Sequence, residues 1–287
     1  MLPETHWIPR VARTRRGIGR DGLVTDELVD WLVGYDRFAG LTLAPAEVRE
    51  LIAPGVTYAE FVSALFDLYG RKRKKPLVAE KTPNYVAEIP TLHALFPKAR
   101  IVHLIRDGRD VCLSAVSWER RADWFAHRFA TWREDPLVTA ALWWRRFVSL
   151  GRQDGAELSS GLYHEVHYEA LVENPEREAR TLCAFLGVEY DDRMLRFHEG
   201  KTRSDARLSA NGAYLPITPG LRDWRTQLSA ADLEVFEAAA GDLLDELDYA
   251  RARPQPGEAA RTRVARIASR CTDLPQRGPV PAEVLAG

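Results

Sequence analysis

Apolar residues recur at helical spacing along most of the chain, and three short runs depart from it. Thr25–Gly34 reads as a helix with Thr25 as its N-cap, and Pro45–Ile52 as another with proline near its start. Thr57–Tyr69 carries Phe61, Ala64, Leu65 and Leu68 on one stripe, the clearest amphipathic pattern in the chain. Leu77–Ala79 reads as a short strand, and Val86–Leu95 as a helix interrupted by Pro90. Ile101–Ile105 (IVHLI) has no face that alternation sends to water, the pattern of a strand buried on both faces. A polar turn, Arg106–Asp110, follows it, and apolar residues then resume at helical spacing from Val111.

Further along, Pro136–Gly151 predicts a helix that buries Leu142, Trp143 and Phe147 and leaves Arg145, Arg146 and Arg152 to water or anions. Tyr163–Tyr168 alternates as a strand, and the next helix runs from Pro175 to Gly187. Asp191–Gly200 and Ser229–Tyr249 read as helices, the latter capped by Ser229. Lys201–Gly220 is the longest stretch without a pattern, a length that is usually functional or mobile. From Ala252 onward Pro, Arg and Gly dominate. The expected organisation is therefore one α/β domain over 1–250 and a weakly ordered tail over 251–287, with at most a short helix near Arg261–Ser269.

Composition narrows the function classes. With 40 basic and 41 acidic residues the net charge is −1, so nothing marks the whole protein for nucleic acid or an acidic membrane. Cys112, Cys183 and Cys271 are odd in number and far apart, which argues against a disulfide framework or structural zinc. Met1–Gly17 lacks the apolar core of a secretion signal, and no apolar run reaches membrane-spanning length. A cytoplasmic protein is expected; its oligomeric state is left open.

Two places carry candidate chemistry. Strand, polar turn and helix over Ala99–Ser117 form the unit that presents ligands at the carboxyl edge of a parallel sheet. There Arg106 is placed to fork onto a phosphate, with Ser114 adding a hydroxyl from the helix. The alternative is a solvated turn in which Asp107 or Asp110 caps the helix. Lys81 stands at the end of the run Leu77–Ala79, just before the chain turns at Pro83, with Glu80 as its expected ion-pair partner. The basic run Arg71–Lys75 reads as a solvated turn. Trp118–Trp132 reads equally as an acceptor-binding wall or as helix core and rim, with Trp124, Phe125 and Phe129 as its aromatic members. Trp7 and Ile8 are expected to cover core, and His164 and His167 lack metal-site spacing.

Three separated pieces, ETHWIP at Glu4–Pro9, EKTPNY at Glu80–Tyr85 and LIRDGRDVCLS at Leu104–Ser114, together resemble the sulfotransferase superfamily. The wording is similar to that of bacterial sulfotransferase-like proteins and of tyrosylprotein sulfotransferases, and the likeness covers roughly Pro3–Tyr249. The resemblance implies a three-layer, P-loop-like α/β fold with a central parallel sheet flanked by helices. It implies transfer of a sulfuryl group from 3′-phosphoadenosine 5′-phosphosulfate (PAPS) to a hydroxyl or amine of a small-molecule or peptide acceptor, without a metal and with adenosine 3′,5′-bisphosphate as product. By the same match Arg106 and Ser114 bind the 3′-phosphate, Lys81 neutralises charge on the transferring group, and Glu4 is the catalytic base. One departure is large. The family's PRSGTT-like phosphosulfate loop has no counterpart before Glu4, and GIGRDG at Gly17–Gly22 follows no strand and is no substitute. The first strand and loop are thus expected to be missing, which places activity in doubt. A non-catalytic nucleotide-binding or interaction protein is the alternative, and a third reading, a P-loop kinase relative, fares worse because no GxxxxGK[ST] is present and no Walker-type aspartate can be placed.

Overall fold

A computed structural model describes residues 2–53, 55–117, 119–199, 216–220 and 222–275. The chain forms two compact units, one drawn from Met1–Ala99 and the other from Arg100–Pro275.

The first unit is helical among its described residues: α1 (Ile8–Thr14), α2 (Asp26–Val33), α3 (Pro45–Glu50), α4 (Tyr58–Lys72) and α5 (Ile89–Leu95). Trp7, Ile8, Leu28, Leu32, Phe61 and Leu65, each 2 % exposed or less, lie in its core. Thr57 and Glu60 close a reciprocal cap at the start of α4. Thr25 stands at the N-cap position of α2, but its hydroxyl donates to the Gly17 carbonyl instead of capping the helix. GIGRDG holds Ile18, which bridges Val24 across the turn that follows it. Leu77–Ala79 is not a strand. The recorded ladder-like bond is Leu2 N–H to the Ala79 carbonyl at 2.8 Å, and one such bond does not make a strand. Pro83–Glu88 forms a 3₁₀ segment leading into α5.

In the second unit, β1 (Ile101–Ile105) pairs in parallel with β2 (Tyr163–His167), Ile101 opposite Tyr163 and Ile105 opposite His167. Parallel pairing requires a crossover. It is supplied by α6 (Gly108–Ser117), α7 (Glu119–Arg128) and α8 (Pro136–Ala156). After β2 come α9 (Tyr168–Glu173), α10 (Pro175–Leu186), α11 (Trp224–Gln227), α12 (Ala230–Glu246) and α13 (Glu258–Ala268). The result is an α/β fold with a parallel sheet flanked by helices. Gly187, at φ 66°, closes α10 where the pattern expected it. Ser229 accepts from Asp232 N–H at the start of α12.

Several local expectations are corrected. β1 is not buried on both faces: His103 and Ile105 point inward, while Val102 and Leu104 are 39 % and 55 % exposed. α8 packs on the sheet, and the strand alternates so that only one of its faces meets core. On α8 itself Trp144 and Val148 are buried, while Trp143 and Phe147 are only half-buried, so the inward stripe is turned by about one residue from the expected one. Its arginines are not left free: Arg145 pairs with Asp242, Arg146 donates to the Pro275 carbonyl, and Arg152 bridges Glu165 and Glu246. In place of the helix expected over Asp191–Gly200, the described residues there carry a 3₁₀ turn at Asp192–Met194, with Asp191 accepting from Arg193 N–H. Phe125, Phe129 and Trp132 belong to the core around α8 and α12. α13 joins that core through Ala260, Val264 and Ile267, a stripe at spacings of four and three. The long loop expected at Lys201–Gly220 lies, through residue 215, outside the described residues, as does 276–287.

Candidate functional site

The first unit brings Glu4 and Lys81 together. The segment before α1 is anchored by Thr5, which is 2 % exposed. Its N–H donates to Glu80 Oε1 at 3.0 Å and to Thr82 Oγ1 at 3.1 Å, and its hydroxyl donates to Glu80 Oε1 at 2.9 Å. The Thr5 hydroxyl also lies 2.7 Å from the Tyr85 hydroxyl, which accepts from Ile8 N–H at 3.0 Å. Burial pushes the Tyr85 phenol well above its ordinary range, so it stays protonated as a donor. Glu80 is therefore consumed inside this frame. The expected Glu80–Lys81 pair is not formed; Lys81 reaches Glu4 Oε1 instead.

Glu4 is held on both oxygens. Oε1 takes Lys81, and Oε2 accepts from His6 Nε2 at 3.0 Å with Arg37 at 3.8 Å. Burial raises the Glu4 pKa, but hydrogen bonding and charge from Lys81 and His6 outweigh it and hold the carboxyl below its usual value. Glu4 is thus ionised at neutral pH, with its lone pairs shared among cations. Lys81 remains half-exposed, so its ammonium is open to an anion from solvent.

In the second unit the turn after β1 is built to present Arg106. The Asp107 carboxylate caps α6 by accepting from Arg109 N–H at 2.9 Å. Asp107 N–H donates to Glu169 Oε1 at 2.9 Å, and Glu169 is held in turn by the Tyr249 hydroxyl at 2.7 Å. The Arg106 carbonyl accepts from Trp144 Nε1 at 3.1 Å. A side chain at Gly108 would meet the Trp144 ring at 2.3 Å, so this approach of α6 to α8 requires glycine. Arg109, which the sequence reading did not single out, is the hidden centre of the turn: 1 % exposed, bidentate to Asp107, bonded to Glu237 at 3.0 Å and stacked 3.7 Å over Trp224. Asp107 caps the helix as the second sequence alternative had it, but the turn is not solvated, since the Arg109 charge is buried.

Arg106 and Ser114 line one cavity of about 200 Å³ together with Val111, Ala115, Phe125 and Trp143. The guanidinium lies 4.5 Å over the Tyr168 ring and donates to Asp110 Oδ2 at 3.3 Å, a long bond. Burial raises the Asp110 pKa, against the opposing pull of Arg106 and of Trp224 N–H. Arg106 Nε and Trp143 Nε1 are buried and have no hydrogen-bond partner among the described residues. Trp143 was expected as core; it is half-buried on α8 and lines the cavity, which helical periodicity alone does not reveal.

Residues 1–192 match the profile described as the Sulfotransferase family. Human carbohydrate sulfotransferase 1 is 26 % identical over 196 residues, covering 62 % of this chain and 46 % of that protein. Protein-tyrosine sulfotransferase 1 of Danio rerio is 27 % identical over 179 residues, covering 60 % of this chain and 48 % of that protein. The match thus spans about half the length of these curated relatives. Among solved structures, the sulfotransferase domain of the Synechococcus PCC 7002 olefin synthase has a TM-score of 0.55 at 23 % identity, covering 86 % of this chain and 84 % of that one, a likeness of fold.

Proposed function

The chain belongs to the Sulfotransferase family, and from that premise we propose that it transfers a sulfuryl group from PAPS to an acceptor hydroxyl or amine. The observation that carries this reading is the cavity of the second unit. Arg106 and Ser114 share its wall, so a guanidinium and a hydroxyl border one space. A phosphate, with several acceptor oxygens and negative charge, suits that pair where an apolar ligand does not. Arg106 and Ser114 are accordingly assigned the 3′-phosphate.

When bound, the donor supplies an activated sulfuryl group with a phosphate as leaving group. Lys81 is assigned the negative charge that develops there, as an ammonium open to solvent on one side. Glu4 is assigned the proton of the acceptor, and its depressed pKa keeps it in the ionised form a base must have. As Lys81 turns from Glu4 toward an anion, the carboxylate loses one of its cationic partners and gains basicity. In-line transfer of this kind asks the protein mainly for positioning and charge stabilisation. Carbohydrate and protein-tyrosine acceptors, named for the relatives, both present a hydroxyl, which supports a small-molecule or peptide acceptor. The three cysteines are free and buried, which supports a reducing, cytoplasmic setting. Among the described residues no helix is long and apolar enough to cross a membrane.

The test combines calorimetric titration with adenosine 3′,5′-bisphosphate and transfer of radiolabelled sulfate from PAPS to phenolic and carbohydrate acceptors. Arg106→Ala is expected to weaken nucleotide binding by about 10-fold to 100-fold, the worth of hydrogen bonds to a charged group. Unchanged affinity in that variant refutes the assignment of the cavity. Tight binding without turnover favours the non-catalytic nucleotide-binding alternative.

A further inference from the structure

The backbone of His6 has no explanation in helix termination. Five described residues other than glycine have positive φ: His6 at 55°, Arg15, Thr42, Lys74 and Asp248. Arg15 and Thr42 are C-caps of helical segments, and Lys74 and Asp248 directly follow the C-caps Arg73 and Leu247. Left-handed residues commonly close helices in this way. His6 instead precedes α1, whose N-cap is Trp7. A residue with a Cβ is disfavoured in that region and persists only where its surroundings over-determine it. They do so here. Thr5, on one side, is locked to Glu80, Thr82 and Tyr85, and Trp7 and Ile8, on the other, are each 2 % exposed. In this held conformation the imidazole meets the Glu4 carboxylate two residues back, with Nε2 at 3.0 Å from Oε2. A carboxylate only accepts, so Nε2 carries the hydrogen.

We infer that His6 is a positioning residue for Glu4: its left-handed backbone aims Nε2–H at one carboxylate oxygen and so fixes the orientation of the carboxylate toward the acceptor. This rests on the reading of Glu4 as the base. With Oε2 held by His6, the other oxygen is the one shared with Lys81 and released when Lys81 engages an anion. The groups around the imidazole are the Glu4 carboxylate, Lys81 on its far oxygen and Arg37 at 3.8 Å from Oε2, with Glu80 and Tyr85 bound to Thr5. Nε2–H donates whether the ring is neutral or cationic. The cationic ring adds a further positive charge to the carboxylate, however, and makes Glu4 a weaker base.

The experiment compares His6→Ala, His6→Gln and Glu4→Gln in the full protein, reading the Glu4 carboxyl titration by carbon-13 NMR and the pH dependence of sulfate transfer. In His6→Ala the Glu4 titration moves to higher pH, and kcat falls by about 10-fold or more, because the carboxylate is no longer held. In His6→Gln, whose amide N–H replaces Nε2–H, the titration returns toward the parent and kcat recovers to within about 3-fold. A Glu4 titration identical in His6→Ala and the parent overturns the inference alone, as does a parental rate in His6→Ala. A parental rate in Glu4→Gln overturns the base assignment itself, and the inference with it.

Discussion

Arg109→Ala tests whether the turn that presents Arg106 is held by buried charge. The guanidinium donates to Asp107 through Nε at 3.0 Å and Nη2 at 2.8 Å, and through Nη1 to Glu237 at 3.0 Å and the Ala250 carbonyl at 2.9 Å. The three side chains are between 0 % and 6 % exposed. Truncation leaves Glu237 with Arg251 at 3.1 Å and the N–H groups of Ala252 and Arg253, but leaves Asp107 with the Arg109 N–H as its recorded donor. The penalty thus falls mainly on one uncompensated carboxylate. Breaking a buried pair from one side costs about 3–5 kcal/mol. A urea slope of about 2–3 kcal/mol per M turns this into a fall in midpoint of about 1–2.5 M, read by tryptophan fluorescence. Arg109→Met with Asp107→Asn should recover much of the loss, because the stranded charge is removed while the stem volume is refilled. A single variant within about 1 kcal/mol of the parent, or a double variant no better than Arg109→Ala, refutes the reasoning.

Two further outcomes follow from the second unit. Burial, aided by Arg152 and His167 and opposed by Glu165, lowers the His103 pKa to about 4 from 6.5. Between those values the unfolded chain binds a proton that the folded protein refuses, so stability falls as pH drops from 6.5 toward 4. The shift converts to about 3 kcal/mol at the acid end, of which about 2 kcal/mol is lost between roughly pH 7.5 and pH 5. His103→Gln should flatten that slope in urea midpoints measured across the window; an unchanged slope refutes the assignment. Gly108→Ala places a Cβ 2.3 Å from the Trp144 ring, whose Nε1 holds the Arg106 carbonyl. Overpacking of this kind costs about 1–3 kcal/mol. Calorimetry should show weaker adenosine 3′,5′-bisphosphate binding as well, and parental binding would separate Trp144 from the site.

Much of the second unit was legible from local pattern. IVHLI, the turn at Arg106–Asp110, the helix after it, the strand at Tyr163 and the proline-to-glycine helix at Pro175–Gly187 all stand where periodicity and capping put them. These features depend on contacts a few residues apart, which a linear sequence contains. Arg106 and Ser114, eight residues apart on a strand end and the next helix, line one cavity. Where the sequence misled, the deciding contact was distant. Val102 and Leu104 look like core, but α8 leaves that face of the strand uncovered. Glu80 looks like the partner of Lys81 because it is adjacent, yet Thr5, 75 residues away, claims it through hydrogen bonds.

By itself, then, the sequence determined most elements of the second unit, the family resemblance and the identity of the charged groups, because propensity, hydrophobic period and motif wording are local properties. Only the tertiary structure decided which charges are spent on the fold and which stay open to a ligand. Arg106 and Arg109 are three residues apart in one motif and chemically identical. One is buried against two carboxylates, and the other keeps a buried, unpaired N–H and lines a cavity. What separates them is Glu237, 128 residues from Arg109, which packing brings to one guanidinium and not to the other.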